Sequence, residues 1–387
     1  MKQRHQFLTL AAISACLFYS CQKDMKDSAM DNAVSGKSAN SKAAKEKTSV
    51  GFVYTLSNEV SGNRVLAYSR SVAGTLTWMD GYATGGTGTG GGLGNQGAVT
   101  LTNDHKVLLA VNPGSNSVSS FLTSNNGLQH VSVVASGGMT PVSVTVHRDL
   151  VYVLNAGGTG NISGFRLYAD GSLHPIAGST RPLSTSSAGA AQVSFVQDGR
   201  VVAVTEKATN KIITYTIGMD GIPGMMHAIE SANATPFGFA VSNGGFIYVS
   251  EAAGGAPGAS TVSSYYISMN GMISLVDGPE SAGQTAACWV VLTNNGKYVY
   301  ATNTGSNTLT SFNADQHGEL DILAAATAGM NVLSPIDAAL TNNSKFIYVL
   351  NAGNESITAL SVSNDGSMDY IQNIPGLPNG ATGLAAK

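Results

Sequence analysis

The chain repeats one short pattern of hydrophobic and polar positions seven times. Each copy begins at a turn, continues as a run of alternating β-forming residues and ends on one polar residue. The residues that close the seven runs are Ser57, Asn112, Asn155, Glu206, Glu251, Asn303 and Asn351. They follow one another at intervals of 43 to 55 residues. Repeats of this length are typical of propellers and related arrays, in which each unit buries its apolar face against its neighbours.

Each repeat has room for four short strands. Segments such as "SVTVH", "QVSFVQDG" and "DAALTNNS" precede the run, and segments such as "NISGFRLYADGSL" and "NTLTSFNADQHGEL" follow it. Turn residues such as Asp170-Gly171 then lead to a further strand, and no segment keeps a 3.6-residue apolar period. We therefore predict an all-β fold, a seven-bladed β-propeller with four antiparallel strands per blade.

The two ends of the chain predict how the ring closes. Residues 22–48 are polar, so the first run has no inner strand before it. The C-terminal segment "GATGLAAK" instead resembles an inner strand. We predict that this C-terminal strand completes blade one and that the propeller comprises residues 49–387.

The N-terminus predicts export. Basic residues precede an apolar stretch at 7–19 that is too short to span a bilayer, which is typical of a secretory signal. Its "SCQKD" end resembles lipoproteins of the Bacteroidetes type, so we predict a lipoprotein signal peptide at 1–20 and lipidation at Cys21. Lipidation at Cys16 and a plain cleaved signal are the alternatives. Residues 21–48 are predicted to be a disordered tether, and the protein a cell-envelope lipoprotein at the outer membrane or cell surface of a Gram-negative bacterium.

Charge and composition limit the partners. Charged residues make up 11% of the chain and the formal net charge is −3. No basic footprint for nucleic acid is present. The expected partner is a small molecule (a lactone, sugar acid or glycan) or an envelope protein, with membrane contact through the lipid anchor only.

A glycine-rich run, "YATGGTGTGGGLGNQG", occupies residues 82–97. It lacks the Gly-Lys-Ser/Thr end of a phosphate-binding loop, and the sequence after it reads as a strand and not as a helix. In the seven-blade register it connects the outer strand of blade one to the inner strand of blade two. We therefore predict a loop that crosses the ligand-binding mouth of the propeller.

The same register locates a candidate site. In a propeller the end of each second strand and the start of each inner strand lie on one face, and a concave mouth there is the usual ligand site. Glu251 and Glu206 are the candidate general bases. The candidate ligand-binding residues are Gln192, Lys207, Trp289, Asn303, Asp337 and Asn351. Simpler structural roles stay open for all of them: turn capping for the asparagines, rim charges for the glutamates, packing for the tryptophan and surface exposure for the lysine.

The stretches "QDGRVVAVTEKATNKIITY", "TPFGFAVSNGGFIYVSEA" and "SPIDAALTNNSKFIYVLNAG" resemble the lactonase-type seven-bladed propellers, which include 6-phosphogluconolactonase and carboxymuconate lactonising enzymes. That resemblance implies the propeller fold and, where the family residues are kept, lactone chemistry. The family's Pro-Arg-His-Phe phrase is Pro236-Phe237-Gly238-Phe239 here, so its Arg and His are missing. Gln192 stands where the family often has His, and Glu206 where it commonly has Asp.

Two functions follow as hypotheses. The first is a lipid-anchored, lactonase-like propeller whose axial mouth binds a small ligand or partner without the full catalytic set of the family. The alternative is a hydrolase of an extracytoplasmic lactone that uses Glu251 or Glu206 as general base. No cofactor is predicted, although Glu206, Glu251, Asp337 and Asn303 would together offer oxygen ligands to Ca²⁺.

Overall fold

Alternating hydrophobic residues pair into seven antiparallel sheets in the computed structural model, which describes residues 49–327 and 329–387. Each sheet is one blade, with its inner strand at the central channel and its outer strand at the circumference. The predicted seven-bladed β-propeller is confirmed. Within the described residues, no helix has the length and apolar character needed to cross a membrane.

The strands of blades one to three are β1 Gly51–Leu56, β2 Arg64–Arg70, β3 Leu76–Ala83, β4 Val99–Leu101, β5 Val107–Asn112, β6 Ser117–Ser124, β7 Gly127–Ala135, β8 Met139–His147, β9 Leu150–Gly157, β10 Asn161–Leu167, β11 Leu173–Pro175 and β12 Arg181–Pro182. Those of blades four and five are β13 Ala190–Val196, β14 Val201–Glu206, β15 Lys211–Ile217, β16 Pro223–Glu230, β17 Pro236–Val241, β18 Phe246–Glu251, β19 Thr261–Ile267 and β20 Ile273–Ser281. Those of blades six and seven, with the C-terminal strand, are β21 Ala287–Leu292, β22 Tyr298–Asn303, β23 Thr308–Ala314, β24 Leu320–Ala324, β25 Pro335–Leu340, β26 Phe346–Asn351, β27 Ser356–Val362, β28 Met368–Pro375 and β29 Thr382–Ala386. A single 3₁₀ turn, Ala253–Gly255, follows β18.

The C-terminal strand closes the ring. β29 pairs antiparallel with β1, which places Val53 opposite Ala386 and gives blade one the strand order β29-β1-β2-β3. The backbone of Phe52 exchanges two hydrogen bonds with that of Lys387, at 3.0 and 2.8 Å. The first and last strands of the propeller therefore share one sheet, as the polar segment before β1 predicted.

Buried tyrosines on the second strands hold neighbouring blades together. The Tyr152 hydroxyl donates to the Gly221 carbonyl at 2.6 Å, and Tyr348 of blade seven donates to Gly74 of blade one at 2.9 Å. Each tyrosine is fully buried, and each glycine lies in the turn between the third and fourth strands of the next blade. Those glycines have φ of 79° and 82°, a left-handed conformation that favours glycine. The recurring tyrosine and the recurring glycine of the turn thus form one inter-blade contact.

Candidate functional site

The polar residues that end the second strands are buried bridges inside the blades. Asn303 donates through Nδ2 to the hydroxyls of Thr308 at 3.1 Å and Thr310 at 2.9 Å, both on β23. Asn112 and Asn351 bond in the same way to two hydroxyls on the third strands of their own blades. These asparagines are at most 1% exposed. Each one ties the second strand of its blade to the third.

Glu251 performs the same bridging as an acceptor. Its carboxylate accepts hydrogen bonds from Ser231 at 2.7 Å, Thr261 at 2.6 Å, Ser263 at 2.7 Å and Tyr265 at 2.9 Å. The side chain is fully buried. Burial, reinforced by the Glu251 charge, raises the pKa of Tyr265 to about 12, so that the phenol keeps the proton it donates. Three of these hydroxyls lie on β19 of blade five, and the fourth, Ser231, lies in the connection that follows β16.

Glu206 is held in a similar way in blade four. It accepts from the Ser184 backbone N–H at 2.9 Å, from the Ser184 hydroxyl and from the Thr209 hydroxyl at 2.6 Å. It too is fully buried.

The structure therefore corrects the prediction that the two glutamates ring the mouth as general bases. The side chain at the end of a second strand turns into its own blade, where hydroxyls on adjacent segments surround it, and not toward the axis. The predicted calcium ligands are also not brought together. Glu206, Glu251 and Asn303 lie in three separate blades, and each forms hydrogen bonds to nearby residues. Among the described residues, no group of three or more His, Cys, Asp or Glu side chains is placed to hold a metal ion.

The glycine-rich run reaches the channel, as its register predicted, and its end enters it. The backbone carbonyl of Asn95 accepts from the Trp289 indole at 2.5 Å, and the Asn95 amide donates to the Val142 carbonyl. Gln96 exchanges two hydrogen bonds with the Val290 backbone, at 2.9 and 3.2 Å. Asn95 and Gln96 thus bond to inner strands on different sides of the ring and plug the channel.

Gly238 makes room for this plug. A Cβ atom at position 238 would lie 2.2 Å from Gln96 Oε1 and 2.7 Å from the Cys288 carbonyl oxygen. No side chain fits there while Gln96 keeps its place. The inner position at which this sequence departs from the Arg-His phrase of the resembled family is therefore occupied by the loop.

Two polar side chains hold the run on either side of the mouth. Asn58 donates to the Gly91 carbonyl at 2.7 Å and accepts from the Thr89 backbone N–H at 3.0 Å. Lys207, half-buried, donates to the Gly94 carbonyl and lies over the Phe237 ring with its Nζ 4.5 Å from the centroid. Burial lowers the pKa of Lys207 to about 8. Lys207 was predicted to bind a ligand; in the structure it holds the glycine-rich run through the Gly94 carbonyl.

A cavity of about 520 Å³ lies under the glycine-rich run, at the junction of blades six, seven and one. Residues 90–95 and 377–382 form much of its wall. Side chains of Trp289, Leu333 and Ile336 add apolar surface, while Asn379 and Glu355 add polar groups. Glu355 is the one ionisable side chain among the described residues that line it.

The predicted ligand-binding residues divide among different places. Trp289 and Asn351 line the cavity under the glycine-rich run. Gln192 and Asp337 line a second cavity at the opposite end of the channel. In the described part of the chain, Lys207 and Asn303 line neither of the two cavities.

Glu355 was missed from the sequence although a signal was present. It comes four residues after the seventh run, in the connection between β26 and β27. The topology that places the ends of second strands on the mouth face places this connection there too. The residue with access to the cavity is therefore in the turn, and the buried bridge Asn351 precedes it.

Comparison with known proteins agrees with this geometry. A family model described as "Lactonase, 7-bladed beta-propeller" matches residues 259–368. Over that segment the chain is similar to the lactonase-type seven-bladed propellers. No protein in the curated collection matches it.

Solved structures resemble this propeller over most of its length. A candidate 6-phosphogluconolactonase of Bacteroides fragilis is 17% identical, with a TM-score of 0.67 over 89% of this chain and 100% of that one. The periplasmic gluconolactonase of Pseudomonas aeruginosa is 17% identical, with a TM-score of 0.68 over 85% of this chain and 98% of that one. At such identities the likeness shows the shared fold.

Proposed function

We propose that this protein binds a small neutral molecule in the cavity under its glycine-rich run, and that Glu206 and Glu251 take no part in chemistry. The observation that carries the proposal is the complete burial of both carboxylates among hydroxyl and backbone N–H donors. A general base must reach the proton that it removes. Neither carboxylate has that access.

The cavity favours a partly apolar ligand that carries hydroxyl groups. Its volume lies in the range of small-molecule sites, about 300–1,000 Å³. Trp289, Leu333 and Ile336 offer apolar contact, and the backbone of the glycine-rich run and the Asn379 amide offer hydrogen bonds. Among the described residues that line the cavity, Glu355 carries the single charge, and this negative charge disfavours an anionic sugar acid. A neutral sugar, the end of a glycan or a neutral lactone fits this lining.

One observation supports hydrolysis as a second candidate function. Glu355 is a half-buried carboxylate on the cavity wall, and a general base must lie within reach of the bound molecule. The resembled family and the similarity to the Pseudomonas gluconolactonase support lactone chemistry. In this version Glu355, and neither Glu206 nor Glu251, would be the base.

A lactone panel with two matched variants separates these functions. The purified protein is assayed for ligand-induced thermal stabilisation and for ring opening, beside Glu355→Gln and Glu251→Gln. For the binding function we expect stabilisation by a neutral sugar or lactone and no turnover in any form. Turnover that Glu355→Gln abolishes and Glu251→Gln retains would establish the hydrolase. Turnover lost only in a correctly folded Glu251→Gln protein would contradict both versions.

We further propose that the protein acts outside the cytoplasm as a lipoprotein anchored at Cys21. The pattern of the N-terminal segment supports this, but that segment lies outside the described residues. Membrane fractionation of Cys21→Ala and Cys16→Ala cells tests it: Cys21→Ala should release the protein, and Cys16→Ala should not. Release by Cys16→Ala alone would indicate that the lipid is attached at Cys16 and not at Cys21.

A further inference from the structure

The channel has a second cavity at its other end, with different chemistry. This cavity, about 570 Å³, opens where the inner strands turn into the second strands of their blades. Its polar rim consists of Thr100, Thr102, Asn103, Asn243, Asn294 and Asn342. Gln96 lies at its inner end, so the plug separates it from the cavity under the glycine-rich run.

Asp337, on the inner strand of blade seven, lines this cavity, and one of its carboxyl oxygens is buried without a partner among the described residues. Asp337 Oδ1 accepts from the Ala338 backbone N–H at 2.8 Å, and the carboxyl group also accepts from the Leu384 backbone N–H. Oδ2 has no hydrogen-bond partner among the described residues, although the side chain is only 1% exposed. A buried polar oxygen without a partner is rare and costly.

Gln192 shows what a satisfied side chain does at the corresponding position of blade four. Its amide donates to the Phe239 carbonyl at 2.9 Å and accepts from the Phe239 N–H at 2.6 Å, and so links two inner strands completely. Asp337 makes the accepting half of this link, to Leu384, and its second oxygen remains unused. The unused oxygen therefore does not serve the ring of inner strands.

The surroundings supply no cation for Asp337. The described strands that pack most closely against β25 are β21, β22, β26 and β29, and none of them contains Asp, Glu, Lys, Arg or His. His105 lines the cavity, and burial lowers its pKa, with Lys387 adding to the effect. Lys387 donates to Thr123 at 2.9 Å and lies over the Phe52 ring. Burial raises the pKa of Asp337 well above its usual value.

We propose that this cavity binds a small organic amine whose ammonium group pairs with Asp337 Oδ2. An ammonium group has three donors and no acceptor, which complements one carboxylate oxygen and the carbonyl oxygens of neighbouring asparagine amides. A single carboxylate is too few for an ordinary Ca²⁺ site, which takes six to eight oxygen ligands. The volume is also that of an organic molecule and not of a bare ion.

Amino sugars provide matched probes. Binding of glucosamine, N-acetylglucosamine and glucose to the full-length protein is measured by calorimetry. We expect glucosamine to bind at least about tenfold more tightly than either neutral sugar, since a charge-assisted hydrogen bond is roughly twice as strong as a neutral one. Asp337→Asn should remove that advantage, and the exposed-site control Asp321→Asn should keep it.

Proton linkage gives a readout that needs no variant. An ammonium ligand ionises Asp337, so glucosamine binding should release a proton, seen as a dependence of the binding heat on the ionisation enthalpy of the buffer. The proposal is overturned if all three sugars bind equally, if no glucosamine binding occurs up to about 10 mM, or if Asp337→Asn binds it as tightly as the unaltered protein. Loss of glucosamine binding in Glu355→Gln instead of Asp337→Asn would also overturn it, by assigning the amine to the other cavity.

Discussion

The two ends of the central channel are built from the same seven inner strands and yet present opposite chemistry. At one end the backbone of the glycine-rich run covers a cavity with apolar walls and one carboxylate, Glu355. At the other end a rim of asparagines and threonines surrounds the buried acid Asp337. Asn95 and Gln96 separate the ends. The repeat therefore builds the ring, while residues that break the repeat determine what each end can bind.

The largest effect should come from removing a bridge that serves neither end. Glu251→Ala leaves three buried hydroxyls and a phenol without their shared acceptor, which should lower the free energy of unfolding by about 4 kcal/mol. Chemical denaturation measures this change. The exposed Glu319→Ala is the control and should differ from the unaltered protein by less than about 0.5 kcal/mol. A small loss in Glu251→Ala would restore this glutamate as a candidate for the mouth.

Displacing Gln96 from the channel should connect the two cavities. Gly238→Val places side-chain atoms where Gln96 Oε1 now lies, so we expect expulsion of Gln96, a loss of about 3 kcal/mol and faster proteolysis between residues 85 and 97. Gly91→Ala is the matched control, because a Cβ at position 91 meets nothing within 4 Å. Equal proteolysis of the two variants would mean that Gln96 does not fix the loop.

Asp337 should make the amide-rimmed end sensitive to pH even without ligand. Its pKa is raised in the folded state, so the folded protein binds more protons than the unfolded one above the ordinary carboxyl pKa. Stability should therefore fall as the pH rises from about 4 toward the raised pKa. Asp337→Asn should lack this fall and be more stable than the unaltered protein by about 1 kcal/mol at pH 8. If the stability of the two proteins changed with pH in the same way, the conclusion that Asp337 is buried without a charged partner would be contradicted.

The smallest effect should come from Lys207 beside the glycine-covered end. Its pKa is about 8 in the folded state and near 10.5 when unfolded, so the unfolded chain holds more protons between those values. Stability should rise with pH across that window, and Lys207→Met should lose the rise. We expect a relative change in Tm of about 2 °C between pH 8 and pH 10, read by thermal melts. A pH-independent difference would show that Lys207 is well solvated.

The asparagine bridges have a regular spacing to their hydroxyl partners in the sequence, and the prediction did not use it. Hydroxyl residues follow Asn112, Asn303 and Asn351 at the fifth and seventh positions, so these three bridges and both partners of each recur with the blade. Glu251 has its partners Thr261 and Ser263 ten and twelve residues on, because a longer connection with a 3₁₀ turn intervenes. That insertion hides the pattern and leaves a glutamate that resembles a free catalytic group.

The sequence by itself determined the seven blades, the closure by β29 and the path of the glycine-rich run across the mouth, because strand period and turn residues are local properties that recur. It could not determine that Glu206 and Glu251 turn away from the axis, or that Trp289 and Asp337 face different cavities. Those outcomes depend on contacts between segments that are distant in the chain, such as Gln96 with Val290, 194 residues on, and Asp337 with Leu384 of β29. Burial and hydrogen-bond satisfaction are decided only when the ring is closed.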